Sequence, residues 1–159
     1  MQGSRPIWKY WLPVLLWMAA IFAGSSPLLS SERTSRVIGP FLRWLKPDIS
    51  DLAVQRVQLG VRKCGHLTEY AVLSMLLWRA IGRSRPFCEK SRNGFALGWA
   101  FLGSTLYAVS DEVHQSLVSS RFGSAWDVAT DAVGAALGLA LIRYRNRRPR
   151  PRHSDSQSR

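Results

Sequence analysis

Apolar residues are concentrated in four windows of the chain, and basic residues crowd the segments between and after them. The windows cover residues 7–24, 63–82, 94–111 and 126–143. An apolar stretch of about 18 or more residues is long enough to cross a bilayer as a helix. The pattern therefore predicts an all-α integral membrane bundle of four transmembrane helices over residues 1–142, followed by a basic, disordered cytoplasmic tail over residues 143–159.

The first window could instead be a secretory signal peptide, because it follows Arg5 and Lys9. Only a weak cleavage motif, Ala-Gly-Ser-Ser-Pro at residues 23–27, comes after it, and three more apolar windows follow. We therefore expect a retained span. The second window reaches spanning length only if its polar residues lie within the helix and Arg79 extends to the far interface.

Small residues four apart occur in the third and fourth windows, at Gly94 and Gly98 and at Gly134 and Gly138. This spacing lets two helix backbones approach closely. It also arises by chance in spans rich in glycine and alanine, so the sequence leaves close packing open at both sites.

The basic residues predict an orientation for the bundle. One basic cluster follows the second window and a larger one follows the fourth: Arg83, Arg85, Lys90 and Arg92, then Arg143, Arg145, Arg147, Arg148, Arg150 and Arg152. By the positive-inside rule both clusters face the cytoplasm. We expect a protein of the cytoplasmic (inner) membrane with both termini in the cytoplasm.

The segment between the first two windows is also basic, although this topology places it outside. Its apolar residues recur at helical spacing beside the cations: Val37, Ile38, Phe41, Leu42, Trp44 and Leu45. Such a pattern is typical of an amphipathic helix that lies on the membrane surface. We expect a short interfacial helix here.

Apart from Arg79 and some small hydroxyls, the polar residues within or near spanning depth fall on one side of the membrane in this topology, the outer side. They come from the end of the first window, the start of the second, the end of the third and the start of the fourth, together with the loop between the last two. The set is Ser25, Ser26, Lys63, His66, Glu69, Tyr70, Asp111, Glu112, His114, Gln115, Arg121, Asp127 and Asp131. Ionisable groups are rare at membrane depth and mark functional sites by default. The sequence thus predicts one polar cluster near the outer surface.

The order and spacing of these residues resemble the VanZ-like family of small multi-pass bacterial membrane proteins. The residues that carry the resemblance, in the order of the family's motifs, are Lys63, His66, Glu69 and Tyr70; Asp111, Glu112, His114 and Gln115; Arg121; and Asp127, Asp131 and Gly134. The chain departs from the family in having Asp131 where Asn is frequent, and in lacking an aromatic residue and Pro-Gly before Arg121. The resemblance implies a cell-envelope role, since the founding member is associated with reduced susceptibility to the glycopeptide teicoplanin. It implies no settled biochemical activity.

The cluster supports a catalytic interpretation, in which an enzyme acts on a lipid-linked or envelope substrate. His66 would be the general acid or base, because histidine changes charge near neutral pH. Glu69 or Asp111 would orient it, and Glu112 is a further candidate catalytic carboxylate. Candidate substrate contacts are Lys63, Tyr70, Gln115, Arg121, Asp127 and Asp131, with Arg121 suited to a lipid phosphate. No recognisable hydrolase or transferase motif accompanies these residues.

Three other interpretations of the same residues stay open. The cluster could be a polar network that locks the helices together without turning anything over. It could bind or shield an envelope ligand. It could also hold Zn²⁺ or Mn²⁺, since His66 with Glu69 and Asp111 with His114 have ligand-compatible spacing. Such pairs are common on polar helix faces, and we expect no metal and no cofactor.

The chain carries a formal net charge of +12, and much of it lies in the tail. A basic arm of this kind can bind nucleic acid. Beside a final membrane span, attraction to anionic lipids is the better interpretation. We expect membrane lipids, and not nucleic acid, as its partner.

Overall fold

The computed structural model describes residues 6–25, 31–84, 89–118 and 124–147, and these residues form five helices. The helices are α1 (Trp8–Ser25), α2 (Ser31–Leu45), α3 (Asp51–Ser84), α4 (Glu89–Val118) and α5 (Ala125–Arg147). No strand occurs in the described parts of the chain. The predicted all-α class is confirmed.

By length and hydropathy, α5 is the one helix within the described ranges that is apolar enough to cross a membrane. Lys9 and several amphipathic aromatic residues lower the mean hydropathy of α1, and ionisable residues interrupt α3 and α4. Four transmembrane helices therefore stay a prediction.

The central element is α3, which is 34 residues long and packs against each of the other four helices. It begins at Asp51, well before the predicted window that opens at Lys63. The Ser50 hydroxyl accepts a hydrogen bond from the Ala53 amide at 3.3 Å, as an N-terminal cap does. Residues 51–62, the first part of α3, are polar and belong to no predicted spanning window.

The interfacial segment forms the predicted helix, α2. Its Gly39 packs against Val54 of α3, and Arg43 Nη2 lies 2.6 Å from Asp51 Oδ1. The large apolar side chains Phe41 and Trp44 are exposed. One face of α2 is thus attached to α3, while its aromatic face has no cover from the described residues.

Contacts between helices fix their relative directions. Trp11 Nε1 donates to Ser84 Oγ and Trp17 Nε1 donates to the Glu69 carbonyl, both at 2.9 Å, so α1 runs antiparallel to α3. Tyr107 Oη of α4 donates to the Met18 carbonyl of α1 at 2.7 Å, and further along both helices Ser25 Oγ donates to Asp111 Oδ2. Because the residue numbers of the contacts increase together along the two helices, α1 and α4 run parallel.

The packing of α3 against α4 and α5 completes this order. Gly103 lies beside Leu77, and Gly82 lies beside Ala96, so α4 runs antiparallel to α3. Gly134 and Gly138 of α5 lie in turn against Leu67 and Ala71, so α5 runs parallel to α3. The helices α1, α3, α4 and α5 therefore alternate in direction along the chain.

The two glycine pairs differ in their surroundings. A Cβ added to Gly134 would lie 2.5 Å from the Leu67 carbonyl oxygen, and one added to Gly138 would meet the backbone of Ala71. Ser74 Oγ bridges the same interface by donating to the Ala135 carbonyl at 3.0 Å. By contrast, nothing lies within 4 Å of a Cβ added to Gly94 or Gly98. Among the described residues, only the pair Gly134 and Gly138 lets two helices pack closely.

A core lies where α1, α3, α4 and α5 meet. Its largest fully buried side chains are Tyr70, Leu73, Ile21 and Val14, and alanines fill the narrower contacts. Alanine and glycine at helix crossings let the backbones come close, which suits a bundle with little room for large side chains.

Candidate functional site

Two contacts between basic and acidic side chains join α3 to α5 at the end of the bundle where α5 begins. Lys63 Nζ pairs with Asp127 Oδ1, and His66 Nδ1 lies 3.3 Å from Asp131 Oδ1. The first pair is half-exposed, with 36% and 30% of the two side chains accessible, whereas the second is largely buried. The His66 contact is too poorly aligned to count as a hydrogen bond. Because α3 and α5 run parallel, a residue one turn further along α3 contacts a residue one turn further along α5.

Asp111 of α4 connects α1 to this end of the bundle. Only 3% of the residue is exposed. Its Oδ2 accepts hydrogen bonds from Ser25 Oγ at 2.8 Å and from Gln115 Nε2 at 3.1 Å. Its Oδ1 is buried and has no hydrogen-bond partner among the described residues. One carboxylate oxygen thus ties two helices together while the other is left without a donor.

Tyr70 and Glu69 bring α3 into the same cluster. Tyr70 is fully buried, its ring centroid lies 6.4 Å from that of Tyr107, and its hydroxyl has no hydrogen-bond partner in the described part of the chain. Glu69 is half-buried and lies within Coulombic range of His66, Asp111 and Asp131. The cluster therefore contains a phenol, an imidazole and several carboxylates.

Glu112 and His114 make separate contacts. Glu112 Oε1 accepts a hydrogen bond from the Ser124 amide at 2.7 Å, at the start of α5. A carboxylate at this place satisfies an amide that the helix itself leaves unpaired, and it complements the helix dipole. The His114 ring packs against Phe22 with centroids 4.3 Å apart. These residues fasten α4 to α5 and to α1.

The cavities at this end of the bundle are small. One of about 40 Å³ lies between α3 and α5, and Lys63, His66, Asp127 and Asp131 are among its lining residues. It has room for ordered water. A shallow groove of about 210 Å³ lies between α4 and α5 beside Glu112. Sites for small organic molecules usually enclose roughly 300–1,000 Å³, so neither cavity is an enclosed substrate pocket.

Residues 10–146 match the VanZ/LLP1 family, and this range includes every residue of the cluster. The chain belongs to the VanZ/LLP1 family. The resemblance drawn from the motifs is therefore confirmed. Comparisons with curated proteins and with solved structures find no significant match.

Most candidate site residues of this VanZ/LLP1 protein meet at one end of the bundle. They are Lys63, His66, Glu69, Tyr70, Asp111, Gln115, Asp127 and Asp131. Arg121 lies outside the described residues, so its contact with a phosphate stays a prediction. Within the described ranges, no three His, Cys, Asp or Glu side chains are grouped so as to hold a metal ion.

Sequence reasoning placed Ser25 on the same membrane face as the polar cluster, and in the structure Ser25 donates to Asp111. It missed one contributor to the VanZ/LLP1 cluster, Tyr107, which packs beside Tyr70 while donating to the Met18 carbonyl. Tyr107 has no signal in the sequence, because one tyrosine in an apolar window is ordinary.

Proposed function

We propose that this VanZ/LLP1 protein crosses the cytoplasmic membrane four times, through α1, α3, α4 and α5, with both termini in the cytoplasm. The alternating helix directions support this arrangement. At the end opposite the polar cluster, α3 and α5 finish in basic residues: Arg79 and Arg83, then Arg143, Arg145 and Arg147. A basic cytoplasmic side agrees with the positive-inside rule.

Exposed apolar side chains support a lipid environment for α1, α4 and α5, which surround the central helix α3. They include Leu15, Leu16 and Phe22 on α1, Trp99, Leu102 and Leu106 on α4, and Val133, Leu137 and Leu141 on α5. In water such continuous apolar surface is unfavourable and rare, whereas acyl chains cover it without cost. The helices also satisfy their own backbone groups, as membrane spans must.

For the role of the protein, we infer action at the outer face of the membrane that reduces susceptibility to glycopeptides such as teicoplanin. The observation that carries this choice is the match of residues 10–146 to the VanZ/LLP1 family. Part of the polar cluster is engaged in contacts between side chains, since Lys63 bonds Asp127 and Asp111 bonds Ser25 and Gln115. The adjoining cavity of about 40 Å³ is too small for an envelope substrate, so the proposal places the action on the outer surface that carries α2.

The test is expression in a glycopeptide-susceptible bacterium, with measurement of the minimal inhibitory concentration of teicoplanin and of the amount of folded protein in the membrane. We expect the parent chain to raise this concentration. His66→Ala should lower it in proportion to the loss of folded protein, and Gly98→Ala, where the added Cβ meets nothing within 4 Å, should match the parent. A parent chain that inserts normally and leaves teicoplanin susceptibility unchanged would refute the proposal.

A second candidate function is acid–base catalysis on a lipid-linked substrate. The observation that favours it is the contact of His66 with Asp131 at the wall of the small cavity, where a carboxylate orients an imidazole. On this alternative His66→Gln inserts and melts like the parent but loses the teicoplanin phenotype completely. Retention of the phenotype by a stable His66→Gln protein would exclude catalysis by this side chain.

A further inference from the structure

Buried polar atoms without a hydrogen-bond partner concentrate at one place in the described part of the chain. Four of them come from α3, α4 and α5 at the same end of the bundle: His66 Nδ1, Tyr70 Oη, Asp111 Oδ1 and Asp131 Oδ1. A fifth, His114 Nδ1, lies at this end where α4 packs against Phe22 of α1. Buried polar groups in folded proteins are nearly always bonded, because an unpaired one costs about 1–3 kcal/mol. A group of four such atoms therefore needs a common explanation.

Among the described residues, the charges around these atoms do not balance. Three carboxylates, those of Glu69, Asp111 and Asp131, lie within Coulombic range of His66. Lys63 is paired with Asp127 and gives the cluster no free charge. With every carboxylate ionised and His66 protonated, these four side chains would carry a formal charge of −2 in a largely buried place.

The groups that face Asp111 from each neighbouring helix support a formal charge of −2 for the described residues. From α1 comes the uncharged Ser25, and from α5 comes Asp131. From α3 come His66, Glu69 and Tyr70, and α4 itself supplies Gln115 and Tyr107. Within this set, the imidazole of His66 is the one group that can carry positive charge.

Like charges in a poorly solvated place repel strongly, and such a cluster gains free energy by taking up a positive charge. A metal ion does not fit, since no three His, Cys, Asp or Glu side chains in the described ranges are grouped to hold one. A proton needs no coordination shell. It also changes an oxygen that lacks a donor into an O–H group that can donate.

We propose that His66, Glu69, Asp111 and Asp131 form a buried proton-binding site that holds, at neutral pH, at least one proton besides that of His66. Asp111 Oδ1 is the favoured atom, because Oδ2 already accepts two hydrogen bonds and Oδ1 accepts none. The Tyr70 hydroxyl, which lies within Coulombic range of Asp111 and also lacks a partner, adds an uncharged group to the same site. This inference does not depend on the glycopeptide role.

Infrared spectroscopy of the purified full-length protein in lipid nanodiscs tests the proposal directly. At pH 7 the parent should show the carbonyl stretch of a protonated carboxyl group, and this band should be lost or reduced in Asp111→Asn. Asp51→Asn removes an exposed carboxylate that pairs with Arg43, so it should leave the band unchanged. Absence of the band from the parent at pH 7 would overturn the proposal.

Glu69→Gln and Asp131→Asn keep the test informative if Asp111→Asn does not fold. At least one of these variants should alter the intensity or frequency of the band, since its carboxylate shares the proton-binding site. A band that is identical in the parent and in both folded variants would place the proton elsewhere and would also overturn the proposal.

Thermal unfolding gives an independent measurement. A proton held by the folded protein and released on unfolding makes stability fall as pH rises. The parent should therefore lose apparent Tm between pH 6 and pH 8, while a folded Asp111→Asn, an uncharged analogue of the protonated acid, should lose less. Equal losses of Tm in the parent and in Asp111→Asn would contradict the assignment of the proton to Asp111. So would a rise in Tm when sodium replaces choline at constant pH and ionic strength, because it would indicate a metal cation and not a proton.

Discussion

Asp111 and Glu112 are neighbours on α4, but their side chains contact different helices. Asp111 is buried and bonds Ser25 of α1, while Glu112 accepts from the Ser124 amide at the start of α5. Successive residues of a helix point about 100° apart around its axis, since there are about 3.6 residues per turn. An Asp-Glu pair at a helix end can therefore serve two different interfaces.

The contact of Glu112 leads to a prediction about stability. Glu112→Gln keeps a carbonyl oxygen that can accept from Ser124, so it should retain most of the free energy of unfolding. Glu112→Ala leaves the amide without this acceptor and should cost about 1 kcal/mol, as the loss of a helix cap does. Thermal unfolding followed by circular dichroism measures both. Equal destabilisation by the two substitutions would show that the negative charge, and not the acceptor, is what matters.

At the scale of the helices, the interface between α3 and α5 places the cluster. In order along both helices, Lys63 meets Asp127, His66 meets Asp131, and Leu67 meets Gly134. Along α5, Asp131 and Asp127 come about one and two turns before Gly134. Close approach at the glycines thus sets the helix separation at which His66 reaches Asp131.

Substitution of Gly134 should therefore disturb both the packing of α5 against α3 and the contact of His66 with Asp131. The new Cβ of Gly134→Ala would lie 2.5 Å from the Leu67 carbonyl oxygen and 2.9 Å from its Cα, so the helices must move apart. We expect a loss of about 1–3 kcal/mol, typical of overpacking, measured by thermal unfolding.

Gly98→Ala is the matched control for this prediction, because nothing lies within 4 Å of the added Cβ. Alanine is favoured over glycine in a helix by up to about 1 kcal/mol, so this protein should be as stable as the parent or slightly more so. Similar losses for Gly134→Ala and Gly98→Ala would show that close packing at Gly134 contributes nothing.

At the scale of the whole molecule, the alternating helices separate two ends of different chemistry. The polar cluster and α2 lie at one end, and the basic ends of α3 and α5 lie at the other. In the proposed topology the basic ends of α3 and α5 are cytoplasmic, as the positive-inside rule favours, while the basic residues Arg43, Lys46 and Arg56 beside α2 lie outside.

Labelling with an impermeant thiol reagent checks that orientation. In a background with Cys64 and Cys88 replaced, we expect Asp48→Cys and Leu117→Cys, both at exposed positions, to react in intact cells. Arg145→Cys, exposed at the opposite end, should react only after the cells are permeabilised. Reaction of Arg145→Cys in intact cells, with protection of the other two, would invert the proposed topology.

Local patterns were sufficient for much of this description. Apolar windows and helical spacing predicted helices over each of the four windows and over α2, because these signals depend on residues close together in the chain. The order and spacing of the polar residues pointed to the family, which the match over residues 10–146 confirmed. The early start of α3 was not predicted, since its first part is polar and belongs to no spanning window.

Contacts between helices decided the rest. The sequence left two glycine pairs equivalent and offered Glu69 or Asp111 to orient His66, whereas the structure packs Gly134 against Leu67 and places Asp131 beside His66. These outcomes depend on how far each helix is turned about its axis and shifted along its neighbour. Spacing within one helix determines which residues share a face. Only the packing of several helices determines which residues of another helix that face contacts.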